Sequence, residues 1–265
     1  MMRSVFLKTL HDQRKSILGW GLGLGALAYF TLLFYPSVQK AGEFYDQMLQ
    51  SFPPEALAFL GNIRSFTTID GYMTGSLLSY LPLVLAIYAI GAAVGLITGE
   101  VERGTMDILL AHPIPRWRVV LEKYAALVAA LTAICLIFGL SMVAGGLTIG
   151  SDVPPGTWLL TGLHPLPLTL LYGTVAFALA CAVRGRAAAV ATATALSVGG
   201  YILNGLAPLS EHLRPLEKWT VYYWYITGRP LGDGIIREHV LILLGGSLLF
   251  LLIGLVAFGR RDIIP

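Results

Sequence analysis

The chain has 265 residues, of which 56% are hydrophobic and only 12% charged. A water-soluble domain carries roughly 25% charged residues, so this composition excludes an ordinary soluble globule and fits a chain whose apolar residues face a bilayer. The formal net charge of +3 decides little by itself, because the placement of the charges carries the information.

Reading from the amino end, Met2, Val5, Phe6, Leu10, Gln13 and Ile17 trace one helical face, with Arg3, Lys8, Asp12 and Lys15 largely away from it. This pattern predicts an amphipathic helix over 1–16 lying along the inner leaflet. The uncharged stretch 16–39 that follows is long for the core of a cleaved signal, and no small-x-small site comes promptly after it, so it reads as a retained span. Its Gly19, Gly21, Gly23 and Gly25 superficially resemble a dinucleotide loop. With no strand before them, they read as small-xxx-small packing positions, Gly19 with Gly23 and Gly21 with Gly25.

Crossing about 30 Å at 1.5 Å per residue takes about 20 residues. Six uncharged stretches reach that length: 16–39, 71–99, 124–151, 153–183, 187–210 and 239–259. The expected spans are 17–36, 74–99, 115–146, 166–183, 187–207 and 239–259, with outer loops at 37–73 and 208–238. The fourth span is placed from Leu166 onward because Pro154, Pro155, Pro165 and Pro167 before it predict an extended loop and a helix start. Only Arg184, Gly185 and Arg186 separate the fourth and fifth spans, which therefore form a tight antiparallel pair. The fold class is all-α, integral to the membrane. Cys135 and Cys181 both fall inside apolar stretches without metal-like spacing and read as small buried hydrophobes.

Lys and Arg set the orientation. With both ends inside, the inner segments hold Arg3, Lys8, Arg14, Lys15, Arg103, Arg116, Arg118, Lys123, Arg184, Arg186, Arg260 and Arg261, twelve of the 18 basic residues. The much longer outer loops hold the other six. Aromatic clusters at Tyr29, Phe30, Phe34 and Tyr35, and at Tyr222 to Tyr225, suit the outer membrane boundary. In 36–70, Phe44, Met48 and Phe52 at helical spacing, then Pro53 and Pro54, predict short amphipathic surface helices.

Several chemistries have no sequence basis. There is no Gly-x-x-x-x-Gly-Lys-Ser/Thr loop to cradle phosphates, no His-Glu-x-x-His and no Gly-x-Ser-Gly. The spans lack the buried Asp, Glu, Lys or Arg of many ion-coupled carriers. The chain is therefore expected to be no enzyme, to hold no cofactor or metal of its own, and to bind no nucleic acid.

The most informative segment joins the second and third spans on the inner side. Gly104 can stop the incoming helix, and Thr105 caps a new one with Asp107 near its positive end. Ile108, Leu109 and Leu110 give that helix an apolar surface, Pro113 ends it, and Pro115 can open the third span. A short apolar helix facing the cytosol suits a groove in a partner protein.

The run Glu100-Val-Glu102-Arg-Gly104-Thr105-Met-Asp107-Ile108-Leu109-Leu110-Ala-His-Pro113-Ile-Pro-Arg116, followed by Lys123, closely resembles the signature of type-2 ATP-binding-cassette permeases. Members of that family run Gly-Glu-x-Glu-x-Gly-Thr-x-(acid)-x-Leu-Leu-x-x-Pro-x-x-Arg. The motif covers about 25 residues, and the six-span plan extends the likeness over the chain. The resemblance implies that the short helix is a coupling helix docking on a separate cytoplasmic ATPase, which would hold ATP and Mg. It also implies two permeases per transporter, a homodimer or a pair with a related chain, with the second and fifth spans facing a central path in the plasma (inner) membrane.

The expected role is the permease subunit of an ATP-driven exporter of a hydrophobic or amphipathic compound such as a drug, peptide or lipid. Tyr80, Tyr88 and Asn204 are candidate path residues. Glu100 and Glu102 are expected to brace the coupling helix near Arg14, Lys15 and Arg116. The alternatives are an ATP-coupled complex that passes force to an outer partner, and an ATP-independent channel or carrier.

The topology has a direct test. In a background lacking Cys135 and Cys181, cysteines replacing Ser37, Ser151 or Ser210 should react with an impermeant thiol reagent in intact cells. Cysteines replacing Ser4 or Thr105 should react only after permeabilisation, and external labelling at Thr105 would overturn the orientation.

Overall fold

The structure, a computed structural model, describes residues 4–59, 65–102, 104, 115–183, 185–232 and 234–260. Among these it is all-helical apart from one isolated antiparallel bridge, Arg229 to Gly234. Six helical stretches are long and apolar enough to cross a membrane: Val5–Lys40, Ile69–Glu100, Arg116–Thr148, Pro155–Ala182, Arg186–Leu209 and Arg237–Arg260. The end of the bundle where the chain begins is called proximal below, and the opposite end distal.

Helix α1 (Val5–Lys40) is 36 residues long, about 54 Å. Ser4 starts it by accepting the Leu7 N–H on its hydroxyl. The amphipathic segment expected over 1–16 thus runs into the first span without a break, because nothing between Ser4 and Pro36 interrupts the helical hydrogen bonds. Beyond α1, α2 (Gly42–Gln50) and α3 (Pro54–Phe59) form the expected short distal helices.

The chain re-enters through α4 (Ile69–Met73), capped by the Thr68 hydroxyl. A π-helical turn over Thr74–Leu78, in which Ser79 N–H reaches back to the Thr74 carbonyl, leads into α5 (Leu81–Glu102). Pro82 supplies no N–H to continue a regular ladder at that joint. Helix α6 (Arg116–Thr148) begins at Pro115.

The helix expected from Leu166 is present, but the segment before it differs from the sequence reading. Residues 153–165 are not an extended loop. Pro154 caps and Pro155 opens a helix, α7 (Pro155–Leu163), and the chain bends at His164 and Pro165 into α8 (Leu166–Ala182). Proline at the first helical position loses no hydrogen bond that the helix would otherwise make, so prolines read as loop signals serve here as helix starts. Helix α9 (Arg186–Leu206), the short distal α10 (Tyr223–Ile226) and α11 (Arg237–Arg260) complete the bundle.

Helix α8 is the inner post, buried along most of its length. It packs on α5 with Gly173 against Ala89, and on α11 with Gly246 against Leu171 and Gly254 against Ala178. It is tied to α6 by a 2.9 Å hydrogen bond between the Tyr124 and Thr174 hydroxyls. Helix α1 packs along α6 through Gly21 on Ile137 and Gly25 on Ser141. Of the four glycines expected to pack, Gly19 and Gly23 face open space, and only Gly21 and Gly25 make a seam.

The distal aromatics also depart from the reading at the boundary. Phe30 and Phe34 face outward, but Tyr35, Tyr222 and Tyr225 turn inward. The Tyr225 hydroxyl donates to the Leu78 carbonyl at 2.8 Å, and the Tyr35 hydroxyl donates to the Thr67 carbonyl at 2.8 Å. Burial pushes the Tyr222 and Tyr225 phenols well up, so both stay neutral. The segment preceding α11 therefore closes the distal end as a plug. Within it, Tyr225 satisfies the Leu78 carbonyl at the end of the π turn.

Close helix approach at α6 and α7 rests on Gly139 against Gly162, where a Cβ on Gly162 would collide with the Gly139 backbone. Gly162→Ala should therefore cost about 1–3 kcal/mol of stability, read as a lowered thermal midpoint of the purified protein. Gly23→Ala, which meets nothing within 4 Å, should leave the midpoint unchanged or slightly raised.

Candidate functional site

At the proximal end, two consecutive residues of α6 hold two other helices. The Lys123 side chain is only 1% exposed, which needs full compensation for a charge. Its Nζ lies 2.7 Å from the Glu100 carboxylate and donates to the Leu96 carbonyl, also at 2.7 Å. Both partners lie in the last turns of α5, so one ammonium ties the proximal ends of α5 and α6. Beside it, the Glu122 carboxylate accepts the Phe6 N–H at 3.1 Å, where the first turn of α1 leaves backbone donors unsatisfied. Arg118, one helical turn away, holds Glu122 at 3.0 Å.

These contacts flank the segment singled out in the sequence. Thr105, Asp107, Ile108, Leu109, Leu110 and Pro113 lie outside the described residues. Glu102 closes α5, and Gly104 beyond it has φ of 64°, in the left-handed region that glycine enters without strain. Arg116 opens α6 and is exposed. Among the described residues Glu100 pairs with Lys123, a partner not among the expected neighbours Arg14, Lys15 and Arg116. A lysine at the edge of an apolar stretch reads as a topology signal, and only the packing of α5 on α6 shows its burial.

The three candidate path residues do not meet. Tyr88 is buried on α5, donating its hydroxyl at 3.0 Å to Gln13 Oε1 of α1, with its ring 5.9 Å from that of Trp20. Tyr80 lies eight residues towards the distal end, its hydroxyl donating to the Ser76 carbonyl. Asn204 is buried at the distal end of α9, where its Oδ1 accepts the Thr220 hydroxyl at 3.0 Å.

Tyr88 alone borders a large cavity, a cleft of about 650 Å³ between the proximal halves of α1 and α5. Trp20 and Tyr88 close its inner end, Gly91 and Gly95 flatten the α5 wall, and Lys8, Asp12 and Glu100 stand at its mouth. The sequence reading did not identify this cleft.

Six helices long and apolar enough to cross a bilayer define a multi-pass membrane protein. The chain matches the family model described as ABC-2 family transporter protein over residues 3–263. It therefore belongs to the ABC-2 transporter family. No curated protein matches it.

The Lys123 pair predicts a specific energetic pattern. Lys123→Met leaves the Glu100 carboxylate and the Leu96 carbonyl without this partner and should destabilise the bundle by about 3 kcal/mol. Adding Glu100→Gln should recover part of that loss. A double-mutant cycle by chemical denaturation in detergent checks this, with a coupling energy of about 1 kcal/mol or more expected.

Proposed function

We propose that this chain is the permease subunit of an ATP-driven exporter, working with a separate ATPase that docks at the proximal end. The observation that carries the reading is the bracing of both helices that flank residues 103–114. Lys123 fastens α5 to α6, and Glu122 fastens the first turn of α1 to the same point. Displacement of the segment between α5 and α6 would thereby move three spans together, which is what a docking element must do to convert partner motion into transport.

In this reading the proximal end is cytoplasmic, in line with its Lys and Arg content. Glu100, Glu102, Gly104, Thr105, Asp107, Ile108, Leu109, Leu110, Pro113 and Arg116 form the docking unit. ATP and Mg bind to the partner ATPase, for the sequence of this chain has no phosphate-cradling loop. Two permeases, each with an ATPase, assemble in the plasma membrane. The cargo is hydrophobic or amphipathic, since charge is scarce along the interiors of the spans.

Burying one large apolar side chain in a partner groove contributes roughly 1.5–3 kcal/mol. Leu109→Asp would lose that contribution and place an unpaired charge in the groove. At about 1.4 kcal/mol per factor of ten, the affinity for the ATPase should fall roughly a hundredfold. Pull-down of the partner ATPase by wild-type and variant chains measures this. Wild-type recovery by a well-folded Leu109→Asp chain would remove the docking assignment.

A further inference from the structure

The distal half of the bundle carries another cavity, apart from the cleft between α1 and α5. It is a groove of about 400 Å³ between the α7–α8 bend and the start of α11. Leu160 and Leu163 of α7, Pro167 of α8, and Ile235, Val240 and Leu241 supply its apolar walls. Leu160 is 51% exposed and Leu241 67%. Beyond Leu241 the exposed row continues along α11 through Leu244, Leu248 and Leu252. The groove therefore opens on the apolar outer face of a spanning helix, where hydrocarbon replaces water.

The charge bordering this groove has one sign. Arg237 lines it, and among the described residues no carboxylate does. Arg237 makes no ion pair among the described residues. Glu238, next in the chain, is exposed but does not line the groove. His164 lines it, yet its Nε2–H donates to the Tyr225 carbonyl at 3.0 Å and its Nδ1 is buried. The depth of Arg237 follows from α11 itself. Arg237 and Arg260 stand at the two ends of this 24-residue helix, about 35 Å apart along its axis. That is slightly more than the hydrocarbon core of roughly 30 Å, so Arg237 lies at headgroup depth and Leu241 one turn deeper. A guanidinium is the side chain best matched to a phosphate, which it can hold through paired hydrogen bonds.

We infer that the groove between the α7–α8 bend and α11 is a binding site for an anionic phospholipid, with the phosphate on Arg237 and an acyl chain against Pro167, Val240 and Leu241. A zwitterionic lipid fits the apolar walls equally well but brings no net charge to match Arg237. A second chain seated on the same face is the competing occupant, and the experiment below separates the two. The inference does not rest on the permease reading, nor on which leaflet meets the distal end.

Native mass spectrometry of the full chain in detergent, given equal amounts of phosphatidylglycerol and phosphatidylcholine, should show preferential retention of phosphatidylglycerol. Arg237→Gln should lower that preference about fivefold, or about 1 kcal/mol. Arg260→Gln, at the opposite end of the same helix, should leave it unchanged. Val240→Trp should fill the groove and reduce retention of both lipids. Equal retention of the two lipids by the wild-type chain overturns the inference, as does unchanged retention in Arg237→Gln or in Val240→Trp. An equal loss in Arg260→Gln also overturns it, since the attraction would then belong to any basic residue at a helix end. Displacement of the lipid by glycerol phosphate would make this a site for a soluble anion instead. Quantitative disulfide formation between two Leu241→Cys copies, in a background lacking Cys135 and Cys181, would give the face to a second chain.

Discussion

The proximal architecture depends on one buried ammonium. Lys123 can be hidden only because Glu100 matches its charge and the Leu96 carbonyl takes a second hydrogen bond. A buried pair of this kind is not an efficient source of stability compared with apolar packing, but breaking it is expensive. Its value lies in geometry. It fixes the end of α5 against the start of α6, and the adjacent Glu122 fixes the start of α1 to the same place. Helices α5 and α11 pack on α8 through close glycine contacts, Gly173 on Ala89, Gly246 on Leu171 and Gly254 on Ala178.

The two ends of the bundle differ in how they meet their polar requirements. The proximal end uses charges, which join α5 and the first turn of α1 to the start of α6. The distal end uses neutral tyrosines, with Tyr225 on the Leu78 carbonyl and Tyr35 on the Thr67 carbonyl, together with the Arg229–Asp70 ion pair at 3.3 Å. Between them, α1 and α5 part enough to leave the cleft, bridged at its inner end by the Tyr88–Gln13 hydrogen bond. In the proposed mechanism, motion entering at the proximal end would act first on the two helices that form this cleft.

Much of the fold was legible in the sequence, because a span is a composition signal that any packing must respect. The number of spans and the short distal helices followed from apolar run lengths and spacing. The elements that were missed depend on neighbours. Pro154 and Pro155 gave the same local signal whether they ended a loop or opened α7. Tyr222 and Tyr225 suited a membrane boundary equally well as a buried plug. Lys123 could be seen beside the motif, but its burial is a property of the α5–α6 contact. Of the candidate path residues, Tyr88 borders the cleft, whereas Tyr80 and Asn204 serve local hydrogen bonds at the distal end. The cleft was invisible because it is made by a gap between helices, and no residue type encodes a gap.

The central claim is that force enters at residues 103–114. Site-specific photo-crosslinking tests it most directly, using a benzophenone side chain placed at Leu110 or at Trp219, which is 84% exposed on the distal side, in cells that make the partner ATPase. The account predicts a crosslink to the ATPase from Leu110 and none from Trp219. A crosslink from Trp219, or an ATPase that co-purifies with the chain yet never links to Leu110, would contradict it.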